Sequence, residues 1–302
     1  MNKYKKVPDK GDPSDVLQIF PKYNLQLLCC RHWWLQEWEF KELSFPYWRI
    51  YHNDRKGAVI IHDGTKYELT PDKIIMIAPN TSYATRLYNH VIPKTGYSLK
   101  GGRVSTVISE KELIERKFIL HLFIHFNIGI PYDNVSPGIF IYKLTNHYQK
   151  KLQTIKRYLN HEHTRFNFYS SLAIHSLIID LLTDLPKSSW NLTTANYRIL
   201  KVLGYIDNNV NSDLTNTNLA EKSRLATNAF VRLFTNETGI SPQKYVKNKR
   251  IDKACILLHH SNFTIDEVAT KTGFADRYHF SRIFKELTGA TPARYRKEFG
   301  MK

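Results

Sequence analysis

The chain has 302 residues and carries 44 Lys and Arg against 27 Asp and Glu, a formal net charge of +17. That length admits two domains, each with its own core, and the basic excess favours a polyanionic partner, because Lys and Arg that neutralise phosphates release condensed counterions. No run approaches the roughly 20 apolar residues of a membrane-spanning helix, and three cysteines, two of them adjacent at Cys29 and Cys30, give neither a disulfide framework nor a zinc spacing. The basic start runs into Asp-Lys-Gly-Asp-Pro rather than an apolar stretch, so no signal peptide is expected. The expectation is a cytoplasmic protein with reduced thiols and no membrane partner. Net charge is about +8 from residue 195 onward and about +9 before it, so charge alone does not locate a nucleic-acid-binding half.

Residues 25–142 read as strands and turns. Tyr47–Tyr51, Gly57–Ile61 and Lys73–Ala78 are short, β-branched or aromatic, and bounded by Asn-Asp, Asp-Gly or Pro-Asn, while Phe118–Ile128 and Gly138–Tyr142 read as later strands. Many short strands with turns between them predict a barrel or sandwich. The period then changes. Tyr148, Leu152, Ile155 and Leu159 fall at helical spacing, as do Leu172, His175 or Ser176, Ile179 and Leu182, so two helices joined near Glu162-His163 form a hairpin. It either covers the open edge of the barrel or makes a dimer interface; periodicity does not separate the two. Pro186 to about Ala195 reads as a linker.

The remainder repeats with a period of about 50 residues. Leu219-Ala220, Phe234, Thr238-Gly239, Pro242 and Tyr245 recur as Val268-Ala269, Phe284, Thr288-Gly289, Pro292 and Tyr295. Each copy has the order short helix, turn, second helix, Gly stop, which is the helix-turn-helix pattern. In the second copy Thr264 and Glu267 form a capping box, Gly273 supplies the turn, and Asp276 caps the second helix, Arg277–Leu287. In the first copy the turn is Ser223-Arg224-Leu225, without glycine, and Thr227 is the expected N-cap. Ser241-Pro242 and Thr291-Pro292 each match an N-cap followed by Pro at the first helical position. Gln243–Leu258 then reads as a connecting helix, with Tyr245, Val246, Lys249, Arg250, Ala254 and Leu257 placed to face both units.

From Arg250 through Leu258, and from Val268 through the Gly-Phe-Ala-Asp turn to Phe284, Thr288-Gly289, Pro292 and Tyr295, the sequence resembles the AraC/XylS family of transcriptional regulators. The resemblance covers about a third of the chain. It implies an α+β protein: a cupin-like β-barrel with its helical hairpin over 1–185, which binds an effector and dimerises, a linker at 186–195, and an all-α DNA-binding domain with two helix-turn-helix units over 196–302. Gly64–Tyr83 resembles the barrel hairpin of that family, although a histidine common after its proline turn is replaced by Ser82 or Tyr83.

On the second helix of each copy Phe230, Leu233 and Phe234, and Phe280, Ile283 and Phe284, belong to the buried face. The resemblance makes Asn228, Val231 and Arg232, and Arg277, Tyr278, Ser281 and Arg282, the groove-facing residues. Arg pairs with guanine, Asn with adenine, and Val with a thymine methyl. The plainer alternative is that Arg232 or Arg282 holds phosphate or pairs with Glu237 or Glu286. Lys244 and Arg294, beside helix N-termini, are expected to position phosphates.

In the first part Trp33, Trp48, Arg49 and His52 are the candidate effector contacts, since aromatic walls with a few polar groups suit a small molecule, a sugar among them; core packing accounts for the tryptophans as readily. Metal-dependent cupin chemistry needs a His-x-His pair and a following Glu, and His62-Asp63-Gly64 lacks the second His. His161-x-His163 falls in the hairpin loop, and His121 and His125 share one strand face without a further ligand in sequence. Adjacent Cys29-Cys30 do not suit a DNA-repair methyltransferase. No catalytic residue, cofactor or metal is expected, and the protein is read as a non-enzyme. The implied partners are double-stranded promoter DNA, a small-molecule effector, RNA polymerase and a second copy of the chain; a regulator with no effector is the opposing view.

Overall fold

The computed structural model describes residues 23–104, 112, 115–129, 132–133, 135–161, 166–190, 196–288 and 290–299. Nine strands come first: β1 (Gln26–Leu43), β2 (Trp48–Asn53), β3 (Ala58–His62), β4 (Thr65–Leu69), β5 (Lys73–Ile77), β6 (Tyr83–Leu87), β7 (Tyr97–Arg103), β8 (Ile119–Asn127) and β9 (Ile139–Lys143). They form one antiparallel sheet in the order β4-β3-β6-β1-β8-β2-β5-β9, with β7 also paired to β1. The 18-residue β1 serves three partners, and its register shifts at Leu27/Cys29, Leu35/Glu37 and Phe40/Leu43. Such bulges bend a strand, and here they curl the sheet into a half-barrel.

Strand alternation sorts the side chains onto two faces. Cys30, Trp48, Ile50, Ile74, Met76, Leu122, Ile124 and Phe126 point outward and pack under the hairpin of α1 (Asn146–His161) and α2 (Phe168–Thr183). From the hairpin this core receives Tyr148, Leu152, Ile155 and Leu159, and Ile174, Leu177, Ile178 and Leu181. The expected face of α1 is therefore the buried one. The expected face of α2 is not: Leu172 and Ile179 are exposed, because α2 is apolar on both sides and the neighbouring stripe, Ile174-Leu177-Ile178-Leu181, takes the core. The Glu162-His163 connection lies outside the described residues. Past α2, Lys187–Ser189 forms a single 3-10 turn, and Trp190 packs on Trp48 with ring centroids 6.0 Å apart.

The remaining helices are α3 (Tyr197–Asn208), α4 (Asn216–Ser223), α5 (Thr227–Thr238), α6 (Pro242–His260), α7 (Ile265–Lys271), α8 (Arg277–Thr288) and α9 (Pro292–Phe299). One core gathers Ile199, Val202, Leu203 and Ile206 of α3 with Leu219, Phe230, Phe234 and Val246. A second unites Ile251, Ala254, Cys255 and Leu258 of α6 with Val268, Phe280, Ile283, Phe284 and Tyr295, and it is continuous with the barrel interior through Phe45 and Tyr47. Helix α6 thus runs through both units, 19 residues and roughly 28 Å long. No described helix is long and apolar enough to cross a membrane.

Candidate nucleic-acid interface

Helix pairs α4–α5 and α7–α8 make the two helix-turn-helix units. In the second, the expected capping box forms: Thr264 Oγ1 accepts from the Glu267 amide at 3.2 Å, and Glu267 accepts from the Thr264 amide at 2.7 Å. Gly273 follows at φ +78°, where an added Cβ would lie 2.6 Å from the Val210 carbonyl oxygen. Asp276 Oδ1 then accepts from the His279 amide at 2.8 Å and opens α8. In the first unit Arg224 itself takes the left-handed conformation, φ +56°, that glycine usually provides. Thr227 is not the cap expected there. The N-cap is Ala226, which has no side-chain oxygen to offer, and Thr227 is the first helical residue. Gly289 lies outside the described residues.

The aromatic residues assigned to the core are in it: Phe230, Phe234, Phe280 and Phe284 are fully buried. One turn round from them the outer faces are open. Asn228 and Arg232 on α5 and Arg277, Tyr278 and Arg282 on α8 are exposed, Tyr278 at 85%, while Val231 and Ser281 are half-buried beside them. Asn216, Thr227, Asn228, Val231, Arg232 and Asn236 border a concavity against α4; Asn216 was not among the sequence candidates, although it opens the helix that packs on α5. Arg277 is held by Asp266 of α7 at 3.2 Å. Among the described residues neither Arg232 nor Arg282 forms an ion pair, and Glu286 pairs with Lys247 at 3.5 Å. The intramolecular alternative for the two arginines is thus not the one seen. Lys244, in the first turn of α6, and Arg294, in the first turn of α9, are both exposed.

Of the barrel candidates, Trp33 and Arg49 point inward and Trp48 and His52 do not. Trp48 faces the hairpin core, its Nε1 donating to Asp133 at 3.0 Å. His52 sits 3.2 Å from the Pro71 carbonyl and 3.5 Å from Lys156 Nζ. Both are corrections with one cause: even-numbered residues of β2 alternate away from the interior. Arg49 is fully buried, hydrogen-bonded to the Tyr83 hydroxyl, with its guanidinium 4.3 Å from the ring centre of Phe45 and 4.8 Å from that of Tyr83. Its Nε and Nη2 have no hydrogen-bond partner among the described residues. Close by is a cavity of about 120 Å³ lined by Trp33, Trp38, Phe45, Tyr51 and Phe123 together with Arg31, His121, His125 and His259. Arg31 was missed in the sequence, yet it lies two residues before Trp33 and therefore on the same strand face.

Two stacked helix-turn-helix units on one long helix, with polar and cationic outer faces, define a DNA-binding module. Residues 219–298 match the model of a helix-turn-helix domain. Over 129 residues, 42% of this chain and 47% of the relative, the sequence is 29% identical to the raffinose operon transcriptional regulatory protein RafR of Pediococcus pentosaceus. Over 118 residues, 38% of this chain and 42% of the relative, it is 30% identical to the HTH-type transcriptional activator RhaS of Escherichia coli. The chain thus spans less than half the length of these relatives. ToxT of Vibrio cholerae, in a structure with bound unsaturated fatty acid, is 12% identical and similar over 94% of this chain and all of that one, with a TM-score of 0.51; this likeness concerns the fold. Residues 219–298 of the chain are thus a helix-turn-helix domain, within a stretch similar to transcriptional regulators. Its relatives are transcriptional regulators, a non-enzymatic class, in agreement with the sequence expectation.

Proposed function

We propose that the chain is a sequence-specific transcription regulator whose α5 and α8 enter two major-groove segments of promoter DNA about one helical turn apart. The observation that carries this reading is the pair of outward helix faces, Asn228-Val231-Arg232 and Arg277-Tyr278-Ser281-Arg282, fixed on one continuous helix. Lys244 and Arg294 hold the flanking phosphates. Titration of a labelled duplex with the full chain at several salt concentrations tests this: affinity falls steeply as salt rises if phosphates are neutralised, and DNA binding indifferent to salt would contradict it.

The barrel is the effector domain in this reading. A buried guanidinium with two unpartnered nitrogens costs stability unless an anion meets it, and the nearby walls are aromatic. A small molecule with an apolar body and an anionic head suits such a cavity better than a sugar, whose hydroxyls need several hydrogen-bond partners. Trp33, Arg31 and Arg49 are the residues assigned to it. A homodimer is supported by the face of α2 left outside the core, where Phe168, Leu172 and Ile179 are 70%, 46% and 43% exposed at helical spacing. RNA polymerase is the further partner a promoter-bound activator would engage.

A further inference from the structure

Cys29 on β1, His125 on β8 and His260 at the end of α6 come together where the barrel meets the DNA-binding domain, each offering a ligand atom within 4.8 Å of the others. The separations follow from pairing and docking. Cys29 is opposite His125 in the β1–β8 ladder, and the last turn of α6 brings His260 over them, its ring centre 5.3 Å from that of His125.

Two features mark the cluster as a site and not merely core. First, Nδ1 of His125 and both ring nitrogens of His260 are buried without a hydrogen-bond partner among the described residues, and such groups are costly when left unpaired. Second, the neighbouring His259 is already committed, with Nδ1 2.6 Å from the Tyr47 hydroxyl, and its ring stacks on His260 at 4.2 Å and 5°. That stacking orients the His260 ring.

We propose that Cys29, His125 and His260 bind a thiophilic d10 cation, Zn(II) or Cu(I), and thereby clamp the barrel to the DNA-binding domain. Zinc–sulfur and zinc–nitrogen bonds of about 2.3 and 2.0 Å set ligand atoms roughly 3.3 to 3.5 Å apart, so closure from separations of up to 4.8 Å requires a contraction of up to about 1.5 Å. The Cys29 thiol proton leaves to solvent as the sulfur–metal bond forms. The resulting thiolate supplies the negative charge that makes a cation tolerable beside Arg31. Three protein ligands leave a coordination position open, and His125 also lines the barrel cavity. Neither the sequence spacing nor the AraC/XylS reading assigns this site, and the proposal does not depend on DNA binding.

The test strips the full chain with a chelator and titrates Zn(II) against a chromophoric competitor, then repeats the titration with Co(II), whose thiolate charge-transfer band reports sulfur ligation. One ion per chain and a cobalt–thiolate band are expected. Cys29→Ser and His260→Gln should each weaken binding by about tenfold or more, with urea unfolding in chelator confirming that the variants fold. A variant with His161 and His163 both changed to Gln should bind as the parent does. A parallel Cu(I) titration identifies which ion is held more tightly. Absence of the cobalt–thiolate band in the parent, or tight binding that survives both Cys29→Ser and His260→Gln, would overturn the proposal.

Discussion

The Tyr47 hydroxyl and Nδ1 of His259 share a hydrogen bond of 2.6 Å that joins the barrel, just before β2, to the last turn of α6. Tyr47 is fully buried, and Phe45 beside it meets Tyr295 of α9 edge-on at 6.4 Å. The barrel and the second helix-turn-helix unit consequently share one core. Tyr47→Phe keeps the ring and removes the hydrogen bond, and it should lower stability by about 1 to 2 kcal/mol, read as a shift in urea midpoint at constant slope. An unchanged midpoint would mean the bond is replaced by water.

Arg282 and Lys244 should respond differently to removal. Arg282→Ala is expected to cost about 1 to 3 kcal/mol at one base step and to relax specificity there, whereas Lys244→Ala should weaken all sequences alike and reduce the salt slope by about 1. Affinities for a panel of single-base operator variants distinguish the two patterns. A uniform loss for Arg282→Ala would assign it to phosphate.

Gly273→Ala asks a side chain to take φ +78° with its Cβ 2.6 Å from the Val210 carbonyl oxygen. That oxygen is already an acceptor for Arg250 Nε at 2.9 Å, so it has little freedom to retreat. A loss of about 2 kcal/mol or more is expected from the left-handed backbone and the clash together. Thermal unfolding of the full chain measures it.

Arg49→Met should raise the stability of the ligand-free chain, or leave it unchanged, because it exchanges an unpaired buried charge for apolar volume. The same change should abolish any thermal stabilisation by small aromatic or aliphatic carboxylates. Stabilisation that persists in the variant would remove Arg49 from the effector site.

Acid should unfold this protein readily. Burial holds His32 and His121 at about 3 and His52 at about 4, below the ordinary histidine value. The unfolded chain therefore binds protons that the folded one refuses, and stability is lost as pH falls from about 6.5 toward those values. Asp133 and Asp252, raised by burial to about 6, work in the opposite direction over part of that window, but they are fewer than the depressed histidines. His52 faces Lys156, a further positive charge that disfavours its protonation. Urea midpoints in chelator should fall between pH 7 and pH 5, and His52→Gln should shallow the decline.

The helix-turn-helix pair was legible because its signals are local: a capping box at Thr264-Glu267, a glycine at the turn, and a repeated apolar spacing. Strand positions such as Lys73–Ala78 were legible for the same reason. What escaped was everything set by pairing across the sheet. Trp48 and His52 look like cavity residues in sequence, but the register that turns Arg49 inward turns them toward the hairpin. Arg224 shows a related limit, since nothing in a Ser-Arg-Leu turn marks its middle residue as left-handed. Cys29 and His260, 231 positions apart, become neighbours only when the domains dock.

Selection of bound sequences from a random duplex pool by the purified full chain, at one stated salt concentration, tests the central claim most directly. Two heads on the 19-residue α6 should enrich two short blocks about one DNA turn, roughly 10 base pairs, apart. Arg232→Ala should relax one base position within one block and Arg282→Ala one position within the other. A pool that stays random while DNA is nevertheless bound would contradict the account, because it would leave α5 and α8 with no base to read.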